Sequence, residues 1–175
     1  KSLRKNVKLI DLKLNQRPTT KKTRFIDSSY MTKMFEVYDM NDMPLQKKEE
    51  TLILSKIEKI LPKIDLAIIT DFGHGLITKK IIEKILSSKV FVAINAQTNS
   101  ANRGFNLITK YSKADYICID EPEFRLAAHN KTLPLEDLLT ISKNLPKAKV
   151  FIVTTGKNGC LIKTQKKIIK IPAFT

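Results

Sequence analysis

Apolar and polar positions change period twice along the chain. From Val7 to about Tyr38 the runs are short and β-prone: "VKLIDLKL" partly alternates, "NQRP" reads as a turn, and "TRFIDSSY" and "KMFEVYDM" follow. These signals predict a small antiparallel β element. After Pro44 the period lengthens, with Ile53, Ile57, Ile60 and Leu61 at helical spacing. They predict an amphipathic helix that stops near Pro62.

Strand and helix signals then alternate to the end of the chain. "DLAIIT", "VFVAIN", "YICID" and "KVFIVTTG" are unbroken apolar runs; between them lie "TKKIIEKILSS", with Thr78 as N-cap, the segment after Pro122, and "LEDLLTISKNL". Apolar strands alternating with helices predict an α/β fold, a parallel sheet with helices on both faces. Ligands bind such sheets at the carboxyl ends of the strands. Here those ends carry Asp71 in "TDFGHG", Asn95 to Asn99 in "NAQTN", Asp120 to Glu123 in "DEPE", and Thr154 to Gly159 in "TTGKNG".

Composition narrows the class. With 175 residues, 42% of them apolar and 28% charged, the chain is globular rather than disordered. No apolar run reaches the roughly 18 residues of a membrane span, and the N-terminus lacks the pattern of a secretion signal, so a cytoplasmic location is expected. Cys118 and Cys160 stand alone in apolar runs and read as buried free thiols. The net charge of +15 raises the question of a nucleic-acid partner. The lysines, however, fall in scattered pairs such as Lys21-Lys22, Lys47-Lys48, Lys79-Lys80 and Lys166-Lys167, without an aromatic-bearing stripe. A solvated lysine-rich surface is the expectation, with no specific nucleic acid and no membrane as partner.

Each polar strand end has a structural reading beside a functional one. "DFG" does not make a protein kinase, because "VAIN" follows it, Asn95 stands where the lysine is needed, and no H-R-D occurs. Gly73 and Gly75 permit positive φ, for a ligand's approach or for a plain β-to-α turn. His74 reads as a solvent-facing loop histidine. Asp120, Glu121 and Glu123 flank Pro122 at a helix start, where capping and the helix dipole explain carboxylates; alternatively Asp120 and Glu123 organise a hydrated Mg²⁺ for a nucleotide's phosphates. "VTTGKNGCLI" is a hairpin, or a turn whose Thr154, Thr155 and Gly156 offer hydroxyl and N–H groups to phosphates beside Lys157.

Taken in order, "RPTTKKTRFID", "DFGHGLI", the stretch over 95–127, "VTTGKNGCLI" and "IPAFT" resemble the PfkB/ribokinase-like carbohydrate kinases, nearest in appearance to the heptose-phosphate kinase type. The resemblance implies transfer of the γ-phosphoryl group of ATP, with Mg²⁺, to a hydroxyl of a sugar or sugar-phosphate substrate. It also implies a partial α/β kinase core over 41–175 and a small β lid over 1–40, through which a homodimer forms. By the same resemblance Asn95, Gln97 and Asn99 lie near the phosphates, and Thr154, Gly156 and Gly159 form a nucleotide-side turn. Asp120 and Glu123 fall on the family's N-x-x-E element as metal-side groups, Asp replacing Asn at 120. Lys22 and Arg24 match a basic lid segment that meets the substrate's phosphate.

The family's D-x-x-G-A-G-D sequence, with its catalytic Asp and anion hole, does not occur in residues 1–175. The glycine-rich sugar-binding region at the amino end is not evident either. The expectation is therefore a middle fragment, with the base beyond Thr175 and little activity of its own. The alternative expectation is a non-catalytic, kinase-derived module for nucleotide binding or dimerisation.

Overall fold

The computed structural model describes residues 5–12, 14, 17–99 and 102–174. Two sheets organise them. Strands β1 (Lys21–Asp27) and β2 (Thr32–Asp39) form an antiparallel two-stranded sheet. The other six strands lie in chain order in a single sheet: β3 (Leu66–Asp71), β4 (Phe91–Ala96), β5 (Lys113–Asp120), β6 (Lys147–Thr154), β7 (Cys160–Thr164) and β8 (Ile168–Ile171). The pairs from β3 to β6 are parallel, whereas β7 and β8 return antiparallel.

The helices arise where local signals place them. Helix α1 (Lys47–Ile60) runs into a 3₁₀ turn at Leu61–Lys63 that contains Pro62, because proline cannot donate to the helical ladder. Helix α2 (Lys79–Leu86) begins where Ile81 N donates to Thr78 Oγ1. The Thr78 hydroxyl in turn donates to Glu50 at 2.6 Å, and Lys80 pairs with Glu50 at 2.9 Å, fastening α1 to the start of α2. Helices α3 (Glu121–Ala127) and α4 (Leu135–Ile141) follow β5.

Register explains the core. Ile69, Ile94, Ile117 and Phe151 stand side by side across neighbouring strands, so they share one face, and all are buried with Ile81, Phe124 and Leu138 from the helices. Ile68, Ala93, Tyr116 and Val150 mark the opposite face. That face is open: Ile68 is 67% exposed and Leu66 47%. Helices on both faces are therefore not found among the described residues. The apolar runs satisfy one face fully and the other only in part.

Three further expectations are corrected. Val7 to Leu12 is not a strand; Leu12 and Leu14 instead pack beside the core, and Lys56 donates to the Asp11 carbonyl at 2.9 Å. Cys118 and Cys160 are free thiols but only half-buried, since Cys118 alternates onto the open face. His74 is half-buried rather than solvent-facing.

Candidate active site at the carboxyl ends of the strands

The carboxyl ends of β3 to β6 are tied together by side chains after the regular ladders stop. Asn95 Nδ2 donates to the Cys118 carbonyl at 2.7 Å, bridging β4 to β5. Gln97 N donates to the Asp71 carbonyl at 2.8 Å, and Asn106 Nδ2 donates to the carbonyls of both Asp71 and Gln97 at 3.0 Å. Asn99 and Asn102 each donate to the Phe72 carbonyl, at 3.1 and 2.8 Å, closing the loop over the β3 turn.

Asp71 is the hub of this corner. It is 2% exposed, accepts the Tyr111 hydroxyl at 2.6 Å and the Gly73 N–H at 3.0 Å, and forms an ion pair with Lys110. Lys110 also donates to Asn106 Oδ1 at 2.6 Å. A buried carboxylate is tolerated only when paired and hydrogen-bonded in this manner. Burial, and after it the bond to Asp71, push the Tyr111 phenol well above its usual range, so it remains a donor. The glycines of "DFGHG" both have positive φ, 71° at Gly73 and 75° at Gly75. A Cβ at Gly75 would lie 2.6 Å from the Met43 carbonyl, and one at Gly73 2.6 Å from Asn106 Cβ. Their close approaches are thus to the chain itself.

Asp120 and Glu123 form a reciprocal cap on α3. Glu123 N donates to Asp120 Oδ1 at 2.8 Å, while Asp120 N donates to Glu123 Oε2 at 3.0 Å. The other oxygen, Oε1, accepts Thr98 N at 2.9 Å. Glu123 is 9% exposed, and burial raises its carboxyl above the usual range against the lowering effect of the two N–H donors. Asp120 is exposed and stands in register with Thr154 on β6.

The Thr154–Gly159 segment turns β6 back into β7. Thr155 donates through N and Oγ1 to the Gly159 carbonyl, at 2.8 and 2.9 Å, around a 3₁₀ turn at Gly156–Asn158. Gly156 and Gly159 have φ of 58° and 92°. A Cβ at Gly156 would meet nothing within 4 Å, whereas one at Gly159 would fall 1.9 Å from the Ile171 carbonyl. Beside the turn lies a cavity of about 460 Å³, whose lining includes Thr155, Lys157, Asn158, Arg125, Glu121 and Lys170.

Lys22 and Arg24 are engaged within the β1–β2 sheet. Glu36 on β2 accepts Arg24 Nε at 2.7 Å and Lys22 Nζ at 3.2 Å, with Lys33 at 3.4 Å and the Tyr38 hydroxyl at 2.8 Å. Arg24, then Tyr38, hold the Glu36 carboxyl down at about 2. On the other face of this sheet Phe25 and Phe35 stack with centroids 4.4 Å apart, 44% and 52% exposed.

The structure therefore gathers Asn95, Gln97, Asn99, Asp120, Glu123, Thr154, Gly156 and Gly159 at one end of the sheet. Among the described residues no ion pair or hydrogen bond joins Lys22 or Arg24 to them. Sequence reading missed Asn106, Lys110, Tyr111 and Glu36. The only signal for the first three was a polar-aromatic stretch, "FNLITKY", with neither helical nor strand period. Among the described residues no group of three or more His, Cys, Asp or Glu side chains is arranged to hold a metal ion.

No protein-family model matches the chain. The bifunctional protein HldE of Nitrobacter hamburgensis is 21% identical over 163 residues, covering 91% of this chain and 33% of its own. HldE of Aliarcobacter butzleri is 28% identical over 122 residues, 65% of this chain and 25% of its own. Among solved structures, ribokinase from Giardia lamblia superposes with a TM-score of 0.64 at 18% identity, over 93% of this chain and 51% of that one. Phosphofructokinase-2 from Escherichia coli, in complex with fructose-6-phosphate, gives 0.56 at 14%, over 86% and 50%. The chain thus spans about a third of the curated relatives and about half of the solved structures. Its fold is ribokinase-like.

Proposed function

We propose that this chain supplies the nucleotide and metal side of an ATP-dependent kinase that phosphorylates a hydroxyl of a sugar or sugar phosphate. One observation carries the reading. Exposed Asp120, capped against Glu123, stands in register with Thr154 at the start of a glycine turn, beside a cavity lined by Lys157 and Arg125. Carboxylate, hydroxyl and basic groups together suit a magnesium-bound polyphosphate.

The donor set fits Mg²⁺ rather than a metal held in an all-protein cage. Both Glu123 oxygens already accept backbone N–H groups, so Asp120 would hold the ion, through water, and Glu123 would orient Asp120. When bound, Mg²⁺ neutralises charge on the transferring phosphates. With both Thr155 donors held by the Gly159 carbonyl, the Thr154 hydroxyl and the N–H groups of Gly156 and Lys157 would contact phosphate oxygens, with the Lys157 ammonium as a point charge. Asn95, Gln97 and Asn99 would fix the strand-end backbone around them.

Residues 41–175 are read as kinase core and 1–40 as lid. Lys22 and Arg24 would meet a substrate phosphate by exchanging Glu36 for it, while the apolar face around Phe25 and Phe35 would meet a second lid in a homodimer. The cytoplasm, where ATP is supplied, is the proposed location; among the described residues no helix is long and apolar enough to cross a membrane. No base is assigned within these residues. Asp71 does not qualify, because Tyr111, Lys110 and Gly73 occupy its oxygens.

That last observation favours, as second reading, a non-catalytic module that binds nucleotide or dimerises. Radiolabelled ATP and a panel of sugars and sugar phosphates, tested with the full product of the source gene, decide between them. Magnesium-dependent label transfer that Asp120→Ala weakens supports the kinase; nucleotide binding without transfer supports the module.

A further inference from the structure

A second cavity lies at the opposite end of the sheet. Also about 460 Å³, it is formed where β4, β5 and β6 begin, with an apolar floor including Leu86, Val92 and Ala148. Its rim carries Lys89, Lys113, Lys147 and Lys149, and its carboxylate, Asp115, is already occupied. Lys149 pairs with Asp115 at 2.7 Å, and Val92 N donates to the same carboxylate at 2.8 Å. Lys113 and Lys147 are direct neighbours in the β5–β6 register. Like charges placed opposite one another on adjacent strands destabilise a sheet. Among the described residues neither lysine has an ion-pair partner.

A cleft with an apolar floor and three rim ammonium groups, Lys89, Lys113 and Lys147, outside any ion pair among the described residues is complementary to an organic molecule bearing several phosphate charges. We propose that this cleft binds a multiply charged phosphate compound, at a site separate from the candidate active site. The β5 strand, Lys113–Asp120, separates the two by about 23 Å at roughly 3.3 Å per residue. This inference does not rest on the kinase reading. A bound anion would sit between Lys113 and Lys147 and turn their repulsion into two charge-assisted contacts, with Lys89 closing the rim.

Inorganic tripolyphosphate is the probe, titrated into the chain at low ionic strength while backbone amide shifts are followed. Shifts are expected at residues 89, 113–115 and 147–149. The double variant Lys113→Gln, Lys147→Gln should weaken this binding by at least about tenfold, the loss expected for two charged contacts. The same loss of charge at Lys47→Gln, Lys48→Gln, on the exposed start of α1, should change it by less than about twofold. Lys113→Gln alone should raise the melting temperature without ligand, since it removes the repulsion, a gain that simple damage to the strand would not give. Equal weakening by both double variants, or shifts confined to 154–159, would overturn the proposal. So would displacement of tripolyphosphate by transfer RNA with a steep salt dependence, which would make the lysines a generic nucleic-acid surface.

Discussion

Thr98 and Glu123, 25 residues apart, are joined by a 2.9 Å hydrogen bond from the Thr98 N–H to Glu123 Oε1. The same carboxylate caps α3 through Asp120 N, so one side chain fixes the end of β4 to the helix start that follows β5. Glu123→Gln leaves one carbonyl oxygen for two donors. A loss of about 1–2 kcal/mol in urea unfolding is expected, the cost of one buried N–H left unsatisfied less the relief of burying a neutral group. An unchanged midpoint would mean that the cap does not hold the strand ends.

The pH response should have two components of opposite sign. Glu36 is depressed to about 2, so the stabilisation it gives the β1–β2 sheet is full above its ordinary value near 4.5 and is lost as pH falls toward 2. Ring shifts of Phe25 and Phe35 followed through this window should move in the native chain and lose most of that movement in Glu36→Gln. Glu123 is raised instead, so its neutral form favours folding below the ordinary value and that advantage disappears as pH climbs through the elevated pKa. Comparing the native chain with Glu123→Gln isolates this part.

The Asp71 corner predicts an order of severity. Lys110→Met leaves a buried carboxylate without its cation and should cost about 2–3 kcal/mol, below the usual range for a buried pair because Lys110 is 29% exposed. Tyr111→Phe removes only the 2.6 Å hydroxyl bond and should cost about 1–2 kcal/mol. Urea midpoints of the two variants, at unchanged slope, measure the difference; a reversed order would contradict the reading of Lys110 as the stronger of the two ties on Asp71.

Two glycines of the same turn should respond differently to alanine. Gly156→Ala meets open space and pays only for positive φ, about 1–2 kcal/mol. Gly159→Ala places a Cβ against the Ile171 carbonyl and should loosen β8 from β7, with a larger fall in melting temperature and loss of amide protection over 168–171. Equal effects would show that the turn relaxes freely.

Much of this was legible from the sequence because its signals are local. Pro62 ends α1, Thr78 starts α2, and the D-x-x-E spacing of Asp120 and Glu123 gives the cap seen in the structure. The Asp71–Tyr111 bond joins residues 40 apart, and no local period announces it. The open face was hidden for another reason: "DLAIIT" has the composition of a strand buried on both sides, yet Ile68 remains largely in water. The pairing of Lys22 and Arg24 with Glu36 was not legible because Glu36 lies on the partner strand, 12 or more residues away.

The central claim is that the strand ends around Asp120 and Thr154 receive magnesium-bound polyphosphate. Its most direct test is an amide-shift titration with the non-hydrolysable ATP analogue AMP-PNP, with and without Mg²⁺. The account predicts magnesium-dependent shifts at 95–99, 120–123 and 154–159, weakened in Asp120→Ala. Shifts that ignore magnesium, or an absence of shifts in these three segments at millimolar analogue, would contradict it.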